Sequence, residues 1–256
     1  MIATRDLLEG DLELDGRLVV ASNATFVGRI GQVQVVYKPV AGERPLWDFP
    51  SGTLASREVA AFELSEALGW DIVPRTWMRE GPFGVGMVQL WREPDAEQEA
   101  VRLVVAENRP ADGWHHVLDG VDAQDRPVSL IHEDSAALRR MAIFDVIANN
   151  ADRKGGHILE MPGGHRHGID HGLTFHAEHK LRTVLWGWVD QELTAEELDG
   201  VRAVRTALDG HLAQTLADLL STAEITATIE RCDQLLQAGR FPAPSGDMPA
   251  IPWPPF

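Results

Sequence analysis

The chain has 256 residues and a mass of 28.2 kDa, enough for one large domain or two lobes, so its size demands no metal or disulfide to hold a core together. With 44% hydrophobic and 24% charged residues it excludes wholesale disorder, and a single cysteine, Cys232, excludes an internal disulfide and fits a reducing cytoplasm. A net charge of -16 and a pI near 4.9 argue against nucleic acid or an anionic membrane surface as partner, since both require clustered Lys and Arg to displace counterions; a small anionic ligand needs only a few local donors.

The opening residues, MIATRDLLEGDLEL, carry acids and no continuous apolar run, which predicts no signal peptide. No window approaches the roughly 18 uninterrupted apolar residues of a membrane span, so no stable insertion is expected. From Arg17 to Gly42 the sequence predicts two or three antiparallel strands, with polar turns at Ser22 to Thr25 and Gly28 to Gly31 and a final strand QVQVVYKP. SREVAAFELSEALGW then predicts a helix, with Ser56 as N-cap and Gly69 as stop. IVPRTWMRE and FGVGMVQLW read as two more strands around a short turn. From Pro94 to Pro127 the chain is polar, acidic and irregular, and is expected to connect two lobes with some helix.

SAALRRMAIFDVIANN predicts a helix with Leu138, Met141, Phe144, Asp145 and Ile147 largely on one side. GGHILEMPGGHRHGIDHGLTF reads as a short hairpin, and three amphipathic helices follow, beginning at LTAEELDGVRAVRTAL. The tail PAPSGDMPAIPWPPF is Pro-rich, hence extended or docked on the surface. Strands first and helices afterwards give an α+β class. The expected units are an N-lobe over 1–93, a connection over 94–127, a helical C-lobe over 128–240 and a tail over 241–256, with a nucleotide able to lie between the lobes.

Lys38 closes an apolar strand and reads either as an edge lysine that discourages aggregation or as a phosphate-binding lysine partnered by Glu58 or Glu63 of the next helix. Asp152 and Asp170, eighteen residues apart and brought together by the expected hairpin, suit phosphoryl transfer, in which one carboxylate takes the acceptor's proton and another holds a divalent ion. His165, His167, His171, His176 and His179 crowd fifteen residues, but without HExxH or cysteine support a solvated hairpin turn accounts for the His165–His167 pair better than a metal site does. The tryptophans, Trp186 and Trp188 among them, are expected in the core or between lobes.

VVYKP with Lys38, REVAAFELSEALGW with Glu58, NNADRKGGH with Asp152 and GIDHGLTF with Asp170, in this order, resemble the phosphatidylinositol 3- and 4-kinase-like branch of the protein-kinase-like fold. The likeness is greatest to type II phosphatidylinositol 4-kinases and small actinobacterial kinase-like proteins, and runs from about Val19 to Leu185. It implies a bilobal fold and transfer of the ATP γ-phosphate, with Mg²⁺ or Mn²⁺, to a hydroxyl of a protein, of the chain itself or of a small molecule. Lys38 and Glu58 would pair at the ATP phosphates, Ser22, Asn23 and Thr25 would cover them, and Met87, Gln89, Leu90 and Trp91 would form the adenine hinge. Asp152 would be the catalytic base, followed by Arg153 as in the lipid-kinase pair, and Asp170 would bind metal as the first residue of DHG. The family's second metal ligand, an asparagine five residues after the base, is replaced here by His157, whose imidazole favours softer ions. A nucleotide-binding pseudokinase is the alternative the resemblance leaves open. A histidine metalloprotein with accidental kinase likeness is the third.

Overall fold

The structure, a computed structural model, describes residues 4–18, 23–50, 52–246 and 248–256. After a short helix α1 (Thr4–Glu9), strands β1 (Leu12–Arg17), β2 (Phe26–Ile30), β3 (Val33–Pro39), β4 (Thr76–Gly81) and β5 (Gly84–Leu90) form an antiparallel sheet in the order β1-β2-β3-β5-β4. β1 lies mostly before Arg17, upstream of the expected start, because Gly16 and alternating acids dilute its apolar signal. Successive strand residues face opposite ways. Val35 and Tyr37 of β3 therefore enter a core with Leu7, Leu12, Ile30, Trp77 and Val88, while Lys38 projects from the other face. β3 is the central strand, so Lys38 is not an edge lysine.

Helix α2 (Leu54–Leu68) starts two residues before Ser56. Thr53 occupies the N-cap without a side-chain bond to the helix amides; the Glu43 carboxylate instead accepts from the amides of Leu54 (3.1 Å) and Ala55 (2.8 Å). A carboxylate there meets both the unpaired amides and the positive end of the helix dipole. Gly69 ends α2 as expected, in the left-handed conformation (φ 69°) that glycine adopts without steric cost.

The segment expected to be an irregular connection holds most of a second antiparallel sheet, β6 (Val101–Val105), β7 (Trp114–Val121) and β8 (Pro127–Glu133), in the order β6-β8-β7. Its edge strands lie largely open to water, with Leu103 and Val121 exposed and a bulge between His116 and Leu118 in β7. Strands wetted on both faces and broken by a bulge lose the alternation that would reveal them.

The C-lobe contains α3 (Ala136–Ala148), the hairpin β9 (Ile158–Glu160) and β10 (Arg166–Gly168), and helices α4 (Ala195–Ala207), α5 (His211–Ala217) and α6 (Thr222–Ala238). α4 and α6 open with reciprocal capping boxes, Thr194 with Glu197 and Ser221 with Glu224. Leu64, Leu68 and Ile72 share one continuous core with Phe144, Ile147, Trp188 and Leu212, so α2 belongs to both lobes. Buried Arg57 of α2 reinforces this, pairing with Glu224 and donating to the Thr174 carbonyl. The tail docks through the Ala250 carbonyl, which accepts from Thr183 N (3.0 Å) and Trp186 Nε1 (2.9 Å), and the Pro255 carbonyl, which accepts from Gly155 N (2.8 Å). Among the described residues, no helix is long and apolar enough to cross a membrane.

His132, fully buried at the start of the C-lobe, donates from Nδ1 to the Glu133 carbonyl and accepts at Nε2 from Gly187 N. Burial pushes its pKa down to about 4. The folded chain thus binds fewer protons than the unfolded one between about pH 6.5 and 4, so this contribution is complete above that window and lost as pH falls through it. We expect it to cost about 2–3 kcal/mol between pH 7 and 4.5. Urea titrations at both pH values check this, since His132→Gln should show a shallower acid loss than the wild type.

Candidate active site

Lys38 Nζ lies 2.6 Å from Glu58 Oε1 and 2.6 Å from Asp170 Oδ1, joining β3, α2 and the segment after β10 at one point. Burial opposes the lysine charge, but Asp170 and then Glu58 outweigh it and hold its pKa above the usual value. Lys38 in turn holds the Asp170 carboxyl well below the usual range. Glu58 is nearly buried (2% exposed) and uses its second oxygen to accept from the His171 amide at 2.8 Å. Glu58, not Glu63, is therefore the partner, and it ties the lysine to the DHG backbone. Asp170 is half-exposed and sits at φ 61°, a left-handed conformation that Asp tolerates better than most residues and that directs its carboxylate into the cleft.

The apolar helix α3 ends at Asn149, left-handed at φ 51°, whose side chain donates to the carbonyls of His176 and Glu178 and accepts from Lys180 N. Asn150 donates to Asp145 Oδ1 and accepts from the Asp152 amide, clamping the loop that presents Asp152. Asp152 is partly buried, beside Lys154 Nζ at 3.4 Å, and burial raises its pKa despite the nearby His157 and Lys154. His157 Nδ1 lies 2.8 Å from the Asp152 carbonyl and Nε2 lies 3.4 Å from Asp170 Oδ2. The carbonyl requires a proton on Nδ1, so in the neutral ring the Nε2 lone pair faces a carboxylate oxygen. A cation satisfies such a pair, so Asp170 and His157 fit a divalent ion by donor type and placement.

Arg153 does not face the cleft. It is fully buried, its Nε lying 3.2 and 3.0 Å from the two oxygens of Asp145, with further bonds to the His157 carbonyl (3.0 Å) and His171 Nε2 (2.7 Å). It positions the loop rather than touching a substrate. Asp145, counted in the sequence only among the residues on one side of α3, is its counterion; a lone acid inside FDVIA was the available signal. His171 is likewise buried, held well below the usual histidine pKa by burial and then by Arg153.

Ser22 lies outside the described residues. Asn23 accepts from Arg44 N at 2.9 Å and lines a small cavity with Lys38, Glu43, Glu58 and Asp170, whereas Thr25 is buried and donates to the Asn23 carbonyl. Met87 packs beneath α2 against Ala55 and Val59, Gln89 donates to Thr76 Oγ1, and Leu90 N bonds the Arg75 carbonyl, all within β5. Trp91, bonded to the Gln34 carbonyl and to Glu93, begins the passage to the C-lobe. A sheet-bearing N-lobe with one helix, a lysine–glutamate pair and a mostly helical C-lobe carrying both aspartates constitute a bilobal α+β fold.

No protein-family model matches the chain. Protein Rv2133c of Mycobacterium tuberculosis (strain ATCC 25618 / H37Rv) is 47% identical over 263 residues, spanning 98% of this chain and 94% of that protein. The chain belongs to the same family as Rv2133c. Among solved structures, that of the Helicobacter pylori proinflammatory kinase CtkA is similar with a TM-score of 0.49 and 10% identity, over 92% of this chain and 94% of that one.

Proposed function

We propose that this chain is a cytoplasmic, ATP-dependent phosphotransferase with motifs like those of the phosphatidylinositol 3- and 4-kinases, acting on a hydroxyl of a protein, of itself or of a small molecule. The observation that carries the reading is the convergence of Lys38, Glu58, Asp170 and His157, which come from three separate stretches of sequence, on one cleft beside Asp152. Such a constellation is what phosphoryl transfer needs, because its catalysis rests on positioning and electrostatic stabilisation. Lys38, fixed by Glu58, would bind phosphate oxygens. Asp170 and His157 would hold Mg²⁺ or Mn²⁺, which when bound supplies neutralisation of the charge on the transferring group. Asp152, its pKa raised by burial, would accept the acceptor's proton. A lipid acceptor is disfavoured by the net charge of -16.

Isothermal titration of ATP with Mg²⁺ and separately Mn²⁺, on wild type and Asp170→Ala, tests the reading. We expect metal-dependent binding with ATP consumption, and loss of at least about tenfold of the metal-dependent affinity in the variant. Equal metal dependence in both proteins would overturn the assignment of Asp170. The imidazole standing where the family has an amide favours a second reading, a nucleotide-binding pseudokinase, and binding without consumption would select it.

A further inference from the structure

On the hairpin that precedes Asp170, His165 and His167 stand two residues apart flanking Arg166, so strand geometry turns both to the same side. The fold sets Asp71, from the turn after α2, directly against them. His165 Nε2 lies 3.3 Å from His167 Nδ1 and 3.7 Å from Asp71 Oδ2, and all three ligand atoms fall within 4.8 Å of one another. The two rings meet edge to face, at 84° and 4.5 Å between centroids, so they do not stack and their nitrogens converge instead.

These separations suit one ion. Tetrahedral zinc with bonds of about 2.0–2.1 Å places neighbouring ligand atoms about 3.4 Å apart. We infer that Asp71, His165 and His167 form a transition-metal site, best matched to Zn²⁺, with three protein ligands and a solvent-facing fourth position. Two imidazoles with a single carboxylate exclude Mg²⁺ and Ca²⁺, which take oxygen ligands almost exclusively. His167 is buried, His165 partly exposed and Asp71 exposed, so the ion enters from solvent and settles on a fixed ligand. His165 Nε2 also lies 2.9 Å from the Asp71 carbonyl; ligation exchanges that hydrogen bond for the metal bond, with the ring proton carried on Nδ1.

The site is separate from the cleft but mechanically joined to it. The amide of Gly168 bonds the Ile72 carbonyl (2.7 Å) and that of Ile169 bonds the His157 carbonyl (3.0 Å), one residue before Asp170. An ion here would staple the turn after α2 to the strand that sets Asp170. The inference does not depend on phosphoryl transfer.

The test is a competition titration of Zn²⁺ into chelator-treated full chain, with Co²⁺ absorption as a spectroscopic readout, on wild type, His165→Ala, Asp71→Asn and Asp170→Ala. We expect one tight equivalent on wild type and Asp170→Ala, affinity reduced at least about tenfold in His165→Ala and Asp71→Asn, and loss of tetrahedral Co²⁺ bands in both. Circular dichroism and a metal-free melting temperature matching wild type establish that the two variants are folded. No stoichiometric binding by the wild type, binding indifferent to both His165→Ala and Asp71→Asn, or binding lost only in Asp170→Ala would each overturn the site.

Discussion

Asp152→Asn removes turnover by about 10²–10⁴-fold while leaving metal-dependent ATP binding in place, if the cleft performs phosphoryl transfer. The substitution is nearly isosteric, and the loop that carries it is held by groups it leaves untouched, since the Asp152 amide is bound by Asn150 and its carbonyl by His157. What disappears is the one carboxylate in the loop with a raised pKa, the property that suits a group required to take up a proton during transfer. Lys38, Glu58 and Asp170 stay paired, so affinity for the nucleotide should change little. Calorimetry alongside a coupled assay of ADP release separates the two quantities. Undiminished turnover in Asp152→Asn would remove that residue from the reaction.

Arg153→Met should be the most destabilising single change in the loop, by about 3–5 kcal/mol. That is a large part of the about 5–15 kcal/mol that holds a typical domain together. Both Arg153 and Asp145 are fully excluded from water. Asp145 also accepts from Asn150 Nδ2 at 2.9 Å and Thr183 Oγ1 at 3.3 Å. Without the guanidinium, a buried carboxylate faces only neutral donors, the unfavourable state that makes broken buried pairs costly. The double variant Asp145→Leu/Arg153→Met removes both charges and should recover part of the loss. Urea unfolding of the wild type and the two variants measures this; a loss below about 1 kcal/mol in Arg153→Met would show that the pair does not hold the loop.

The tail illustrates a contact that pattern reading misses. A Cβ at Gly155 would collide with the Phe256 ring, and the Gly155 amide bonds Pro255, so the glycine next to the loop's Lys154 accommodates a segment one hundred residues away. In the sequence that glycine reads only as freedom to turn.

Local chemistry determined much of this protein by itself. The alternation in VQVVYK placed Lys38 on the face opposite Val35 and Tyr37, Gly69 ended α2, the apolar run of α3 announced a buried helix, and the order of Lys38, Glu58, Asp152 and Asp170 marked the candidate cleft. The first three depend on residues within a turn or a strand of one another, and the fourth on the order of motifs along the chain. Tertiary structure alone decided that Glu43 caps α2 from eleven residues away, that Asp145 rather than solvent pairs with Arg153, that the polar stretch after Pro94 forms strands, and that Asp71 meets His165 and His167. Those outcomes turn on long-range pairing of charges and on burial, and neither leaves a period in the sequence: a side chain's neighbours across the fold become definite only when the surrounding core has excluded water.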